Sequence, residues 1–331
     1  MKSYGSYDSI NILITSREVG IVKPAEKFHS FPYLRFMKNL SPKNWQDYEL
    51  VDSGNFRKLE RFGNYFLIRP ETEAIWKPDT GMHEWQKIAH ATFEQKSSTG
   101  GIWIKHRDMP PSWKINYHYK DMKLDFVLKL TKFKHVGVFP EQAAHWDFIY
   151  DQLQKMKQSQ PRFLNLFAYT GGASLAAKSA GADVYHVDSI KQVVTWAKDN
   201  MQNSNLKDIR WVVEDALKFV QREKKRGNFY HGIVLDPPAF GHGPKGEKWK
   251  LEEKMNELLE NVCQILDRKE HFLVLNTYSF GFSPLTLENI IRNSLPQAQF
   301  ESGGLYLTAA HGQSNLALGA YAKVVKGGRF A

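Results

Sequence analysis

From residue 162 onward the chain alternates two textures. Short apolar runs, "RFLNLFAY" (162–169), "DVYHVD" (183–188), "IRWVVED" (209–215), "HGIVLD" (231–236) and "HFLVLNTYS" (271–279), read as strands. The segments between and after them carry apolar residues at helical spacing: "GASLAAKSAG" (172–181), "IKQVVTWAKDNMQNSN" (190–205), "ALKFVQREKKRG" (216–227), "LEEKMNELLENVCQILD" (251–267) and "PLTLENIIRNSL" (284–295). Strands joined through helices pair in parallel, so this part predicts an α/β, doubly wound sheet. The end differs. "GGLYLTAAHG" (303–312) and "LALGAYAKVV" (316–325) flank a turn at Gln313-Ser314-Asn315 and predict an antiparallel C-terminal hairpin at the sheet edge, seven strands in all.

Upstream the pattern is shorter. Tyr48 to Trp76, "YELVDSGNFRKLERFGNYFLIRPETEAIW", alternates apolar and polar residues and breaks at "SGN" and "FGN". "GIWIKHRDMPPSWKINYHYKDMKLDFVLKL" continues it around Pro110-Pro111, while "IVKPAEKF" (21–28) and "NLSPKNW" (39–45) read as proline-bearing connections. Two domains follow: a smaller β-rich, α+β N-terminal domain over 1–130, with a role in substrate recognition, and the doubly wound domain over 131–331. No apolar run is long enough to cross a bilayer, and "MKSYGSYDSINILITS" lacks a basic-then-apolar signal pattern. Cys263 is the single cysteine, which excludes an internal disulfide framework and a CxxC metal knuckle, so the cytosol is the expected compartment.

Ligands of an open parallel sheet bind beyond the carboxyl ends of its strands. There the sequence places "FAYTGGAS" (167–174), then Asp188, then Glu214-Asp215, then Asp236. Gly171 and Gly172 permit a tight turn and close approach of backbone to a ligand. Each acid before a helix also fits an N-cap, a reading open for Asp188 and Asp215. Acids at consecutive strand ends after a glycine turn fit a nucleoside better, and Asp188 lies sixteen residues beyond Gly172, near the spacing of a ribose-binding acid. The turn "YTGGAS" after the first strand does not contain GxGxxG and no GxxxxGK[ST] run occurs, so neither a dinucleotide nor a nucleoside triphosphate is expected there. A ligand with adenosine and no pyrophosphate remains, and S-adenosylmethionine, whose sulfonium also favours an acidic rim, is one.

"LNLFAYTGGASLAAKSAGADVYHVDSIKQVVTWAKDN", "VVEDALKFV" and "IVLDPPAF" resemble the core of the class I methyltransferases. Their order and spacing are similar to those of the RlmI/RlmK-type ribosomal RNA methyltransferases, as is "HVGVFPEQAAHWDFI" (135–149). The resemblance spans about residues 130–331 and implies a Rossmann-like fold and S-adenosylmethionine as cofactor. It implies contacts to the methionine moiety from Phe167, Tyr169 and Gly171, to ribose from Asp188, to adenine from Asp215, and places Gln142 nearby. With the adjoining Ala168, Thr170, Gly172, Ser189, Glu214, Ala216 and Asp236, these make the expected cofactor site.

"Asp-Pro-Pro" closes the fourth strand. Proline fixes its φ, has no N–H and restricts the residue before it, so Asp236, Pro237 and Pro238 aim a carboxylate and carbonyl oxygens as acceptors without competing donors. An exocyclic amine on a base is a weak nucleophile because its lone pair is delocalised; accepting its protons localises that pair. Phe240 is placed to stack on the extruded base, worth roughly 1–3 kcal/mol, and "GHGPKGEKW" to act as a flap carrying Lys245 and Lys248 toward phosphate. The bland alternative is a stiffened turn with Phe240 in the core. Carbon-5 methylation of a pyrimidine needs a cysteine; Tyr278 stands where some relatives place one, and Cys263 falls in a helix pattern. Among the activities the resemblance implies, this leaves nitrogen methylation of guanine, at N2 or N7, as the expected one.

Forty-five basic against 35 acidic residues leave a charge of +10, which favours polyanions and makes ribosomal RNA the expected partner. "REKKRG" (222–227) reads as a phosphate contact or a solvated helix end, and "WIKHRDMPPSWKINYHYK" as an RNA-stacking surface or buried aromatics. The histidines form no metal-ligand spacing, so no metal is expected. The competing functions are methyl transfer to a small molecule, protein or DNA, and a non-catalytic RNA-binding or assembly factor.

Overall fold

The computed structural model describes residues 36–97, 100–279, 281–310, 314–328 and 330. "IVKPAEKF" and Gln313 of the C-terminal turn lie outside them. In chain order, β1 (Phe36–Met37) is followed by β2 (Tyr48–Gly54), β3 (Arg57–Phe62), β4 (Tyr65–Pro70), β5 (Ala91–Ser97) and β6 (Gly100–Lys105). The last five form one sheet in that order, with α1 (Met82–Ile88) laid on it through Trp85, whose indole donates to Asp52 Oδ2 at 3.0 Å. β7 (Ser112–Tyr119) and β8 (Met122–Lys129) pair as a hairpin.

The second part holds α2 (Ala143–Lys155), β9 (Arg162–Leu166), α3 (Gly172–Ser179), β10 (Asp183–Asp188), α4 (Lys191–Asn203), β11 (Ile209–Val213), α5 (Ala216–Lys225), β12 (Gly232–Leu235), β13 (Phe240–His242), β14 (Lys248–Lys250), α6 (Leu251–Gln264), β15 (His271–Thr277), α7 (Pro284–Ser294), β16 (Gln299–Thr308) and β17 (Asn315–Lys326). The main sheet runs β1-β16-β17-β15-β12-β9-β10-β11. Strands β9 to β12 and β15 are parallel; β17 is antiparallel to β15 and to β16. The expected doubly wound sheet with its antiparallel C-terminal hairpin is present, and β1 adds a short eighth strand beside β16.

Alternate residues of each central strand enter two cores. Phe163, Val234, Phe272 and Val274 pack with α2, α3 and the β7–β8 hairpin. Leu164, Leu166, Ile233, Leu235, Leu273 and Leu275 pack with α5, α6 and α7. Both faces are covered, which is why these strands read as unbroken apolar runs rather than alternating ones. The first core reaches from Phe163 through Trp146, Phe126 and Tyr117 to Phe62 and Leu50. Trp113 and Tyr117 are buried in it, so for those two the packing reading of the aromatic-basic stretch holds. β9 sits between β10 and β12, and the winding direction reverses there. This is the switch point beyond whose carboxyl ends a ligand crevice is expected.

Candidate functional site

At that switch point β9 ends in a tightly wound loop. Phe167 has φ of 56°, Tyr169 of 48° and Gly171 of 94°. Left-handed backbone at two aromatic residues costs of order 1–3 kcal/mol each and persists only where the surroundings over-determine it. They do so here. Tyr169 N–H donates to Asp188 Oδ2 at 2.9 Å, Thr170 Oγ1 to the Gly137 carbonyl at 2.7 Å, and Asn200 Nδ2 to the Thr170 carbonyl at 3.0 Å. Asp188 thus braces the loop, and its Oδ1 accepts from Ile190 N–H at 2.9 Å. It is no helix cap, since α4 starts beyond Ile190; Asp215 is one, accepting from Lys218 N–H at 3.0 Å. Burial pushes the Asp188 carboxyl up against the pull of those N–H donors.

Gly172 opens α3 against Trp146, where an added Cβ would lie 2.4 Å from the indole ring. Gly172→Ala therefore forces apart two buried elements beneath the loop. A loss of about 1–3 kcal/mol of stability is expected, read from the urea midpoint.

Asp236 leaves β12 half-buried, and its carboxylate is not free of donors as the two prolines imply. Asn276, at the end of β15, donates to Oδ1 at 3.0 Å, and Gln142 Nε2 stands 3.5 Å from Oδ2. The Pro238 carbonyl accepts from the Trp249 indole at 2.7 Å. Prolines bring no donors of their own; these arrive from distant elements. Gln142 also donates to Tyr278 Oη at 2.8 Å, and Tyr278 Oη in turn to Glu141 Oε1 at 2.8 Å. Burial, with the Glu141 carboxylate nearby, pushes Asp236 up to about 7 against the Asn276 hydrogen bond. Burial also raises Glu141 and Tyr278.

Phe240 is 69 % exposed, so it is not a core residue. The glycine-rich run after it forms the β13–β14 hairpin rather than coil. Trp249 anchors it, buried against Phe167 with ring centroids 4.9 Å apart, and Lys218 pairs with Glu247 at 2.6 Å. Lys245 and Lys248 are exposed on it. Beneath the hairpin a small pocket is lined by Phe167, Asp188, Ser189, Glu214, Asp215 and Ala216. A cavity of about 1260 Å³ adjoins it, sharing Phe167, Asp188, Ser189 and Pro238 and adding Tyr169, Asp236, Pro237 and Phe240. The expected rim is thus brought together, with Ala168 buried and Thr170, Gly171 and Gly172 behind it in the loop. Glu214 is partly withdrawn by its ion pair with Arg222 at 2.5 Å.

Sequence reasoning missed Glu141, Asn276, Trp249 and Phe139, the last packed edge-on against Tyr169 at 5.3 Å. Their only local signals were a polar residue closing an apolar strand and an aromatic ending a glycine run. Cys263 sits in α6, where burial pushes its thiol up to about 12, unsuited to nucleophilic attack. No group of three metal-ligating side chains comes together among the described residues, and no described helix is long and apolar enough to cross a membrane.

The fold, the strained loop and the acid at the second strand end fit a nucleoside cofactor, and known proteins give the chain a family. A model of the family described as conserved hypothetical protein 95 matches residues 130–276. The crystal structure of an S-adenosylmethionine-dependent methyltransferase from Agrobacterium tumefaciens is 35 % identical, with a TM-score of 0.81, covering 87 % of this chain and 93 % of that one. The ribosomal RNA large subunit methyltransferase K/L of Pseudoalteromonas translucida is 39 % identical over 145 residues, 43 % of this chain and 19 % of that protein. Its counterpart in Pseudoalteromonas atlantica is 28 % identical over 183 residues, 52 % of this chain and 25 % of that protein. The chain thus spans about a quarter or less of these two relatives' length. It belongs to the S-adenosylmethionine-dependent methyltransferases, enzymes with S-adenosylmethionine as cofactor.

Proposed function

We propose that the chain methylates a guanine nitrogen, N2 or N7, of ribosomal RNA in the cytosol. The observation that carries this reading is the single cavity faced by both the Asp188 rim and Asp236-Pro237-Pro238-Phe240. Support comes from the names of the K/L relatives and from the positive charge, which suits a polyanion. The strained loop, the pocket acids and the small residues at Gly171 and Gly172 fit the cofactor. Phe167 to Gly172 would hold its methionine end, with Gln142 beside it, Asp188 and Ser189 its ribose, and Glu214, Asp215 and Ala216 its adenine. The bound cofactor supplies an activated methyl group, so the protein's task is mostly positioning.

Asp236 Oδ2, which among the described residues has just the long Gln142 hydrogen bond, is the acceptor left for an amine proton. With a neighbouring carbonyl it would draw the amine lone pair toward the methyl group. A carboxylate poised near 7 also suits taking the proton that the nitrogen sheds after transfer. That step exists for the exocyclic N2 and not for N7, whose methylation releases no proton, so Asp236 favours N2. Phe240 would carry the base, and residues 1–130 would form a domain that recognises RNA. The test is mass spectrometry of ribosomal RNA nucleosides from cells with and without the protein. Loss of one methylguanosine is expected. Transfer of label from purified enzyme into protein alone would overturn the proposal.

A further inference from the structure

After β8 the chain runs along the large cavity as Thr131-Lys132-Phe133-Lys134-His135, all five residues lining it. No helix or strand holds this segment, yet every one of its carbonyls is engaged. The Trp103 indole donates to Thr131 O at 2.8 Å, Gly101 N–H to Lys132 O at 2.9 Å, and Arg69 Nη1 to Lys134 O at 3.2 Å. The Thr131 hydroxyl is shared between Phe133 O at 3.3 Å and His135 O at 3.2 Å, and it accepts from Phe133 N–H at 3.1 Å. Arg69 is itself fixed by two 2.7 Å bonds to the buried Glu60. Gly100 lets the neighbouring strand come this close, since a Cβ there would stand 3.0 Å from Lys132 O.

A loop fixed this way has no need of a large apolar side chain at its tip for packing, but Phe133 is 45 % exposed there. Lys132 Nζ lies 5.3 Å from its ring centroid. Lys134 is half-buried, and burial lowers its pKa. The nearby cations Lys58 and Arg69 are paired to Glu71 and Glu60, whereas Lys134 makes no ion pair among the described residues. A half-buried, unpaired ammonium is costly until an anion meets it. The cavity, about 1260 Å³, exceeds the roughly 300–1,000 Å³ of an ordinary small-molecule pocket, leaving room beyond a cofactor and one base.

We propose that Lys132-Phe133-Lys134 is a second nucleotide subsite, where an unpaired base flanking the target stacks on Phe133 and its phosphate lies between the two lysines. An aromatic face between ammonium groups is the chemistry that holds single-stranded nucleic acid. The fixed backbone keeps the ordering cost low. The subsite rests on the RNA reading above and deepens it: the acceptor is single-stranded over at least two nucleotides.

The test is fluorescence anisotropy with a labelled single-stranded RNA decamer and its duplex, at saturating S-adenosylhomocysteine, from about 50 to 200 mM salt. The wild type is expected to prefer the single strand. Phe133→Ala weakens its binding about tenfold with an unchanged salt slope, and Phe133→Trp restores it. Lys132→Gln with Lys134→Gln lowers the salt slope by about 0.7 for each phosphate the lysines no longer neutralise. All variants keep the wild-type affinity for S-adenosylhomocysteine, measured by calorimetry, which shows that they fold. Binding by Phe133→Ala and by the lysine variant within about twofold of a wild type that binds the decamer overturns the subsite alone. A wild type that takes up S-adenosylhomocysteine but no RNA overturns both readings.

Discussion

Asp236→Ala is expected to lower kcat for methyl transfer by about 10²–10³-fold, the usual loss when one preorganised hydrogen-bonding group is removed from a reacting centre. The cofactor's dissociation constant should change far less, because the bracing at Asp188 is untouched. Asp236→Asn separates two roles that the alanine variant merges: the amide keeps an acceptor oxygen and cannot take a proton. Wild-type kcat should rise with pH to a plateau above about 7, as Asp236 ionises. The asparagine variant should be slower and flat across that range. The groups facing Asp236 are Asn276 and Gln142, which donate to it, and Glu141 and the Tyr278 hydroxyl beyond them. Of these Glu141 is the other carboxylate, so Glu141→Gln should move the inflection down rather than remove it.

The sign for stability is unusual for an aspartate. Its native pKa, about 7, stands above the ordinary 3.8, so between those values the folded state keeps a proton that the unfolded chain releases. This group's contribution to stability therefore falls as pH rises through that window. Asp236→Asn should melt higher than the wild type at pH 8 and show no such gain near pH 4. Identical pH–rate profiles for the wild type and the asparagine variant would show that Asp236 neither accepts nor orients the proton.

The sheet was legible because its strands are short, apolar and separated by helices long enough for crossovers, a pattern written within twenty-residue windows. The Phe167–Gly172 turn and the acids after it were legible for the same reason. What stayed hidden is built from residues far apart in the chain. Glu141 and Tyr278 meet because α2 is packed against the sheet where β15 ends, and Asn276 reaches Asp236 because β15 pairs with β12. Nothing local marks such a meeting. The acids illustrate the limit from the other side. Asp188 and Asp215 both precede helices, but one braces a strained loop and the other caps, a difference set by where α4 begins. Nothing local marks "LTKFKH" (130–135) either, because its support comes from Trp103, Gly101 and Arg69, on the other sheet.

Phe240→Ala is expected to cut kcat/KM for RNA by about 10–100-fold, the range of one lost base–aromatic stack of roughly 1–3 kcal/mol. The unfolding free energy should move by no more than about 0.5 kcal/mol, since a side chain 69 % exposed contributes little to the core. Phe240→Trp, which keeps a stacking face, should stay near the wild type. Trp249→Ala supplies the contrast. Trp249 is 6 % exposed, donates to the Pro238 carbonyl and packs on Phe167, so its loss should cost about 3–5 kcal/mol in folding and loosen the turn that presents Phe240. The two variants of one hairpin thus divide stacking from support: the first loses turnover with its melting point intact, the second loses both. Should Phe240→Ala turn over like the wild type, the base must rest on another ring of the cavity. Tyr278, 36 % exposed and 5.8 Å from Phe139, would be the next to replace. Its hydroxyl joins Gln142 to Glu141, so Tyr278→Phe would then shift the pH profile while keeping the stack.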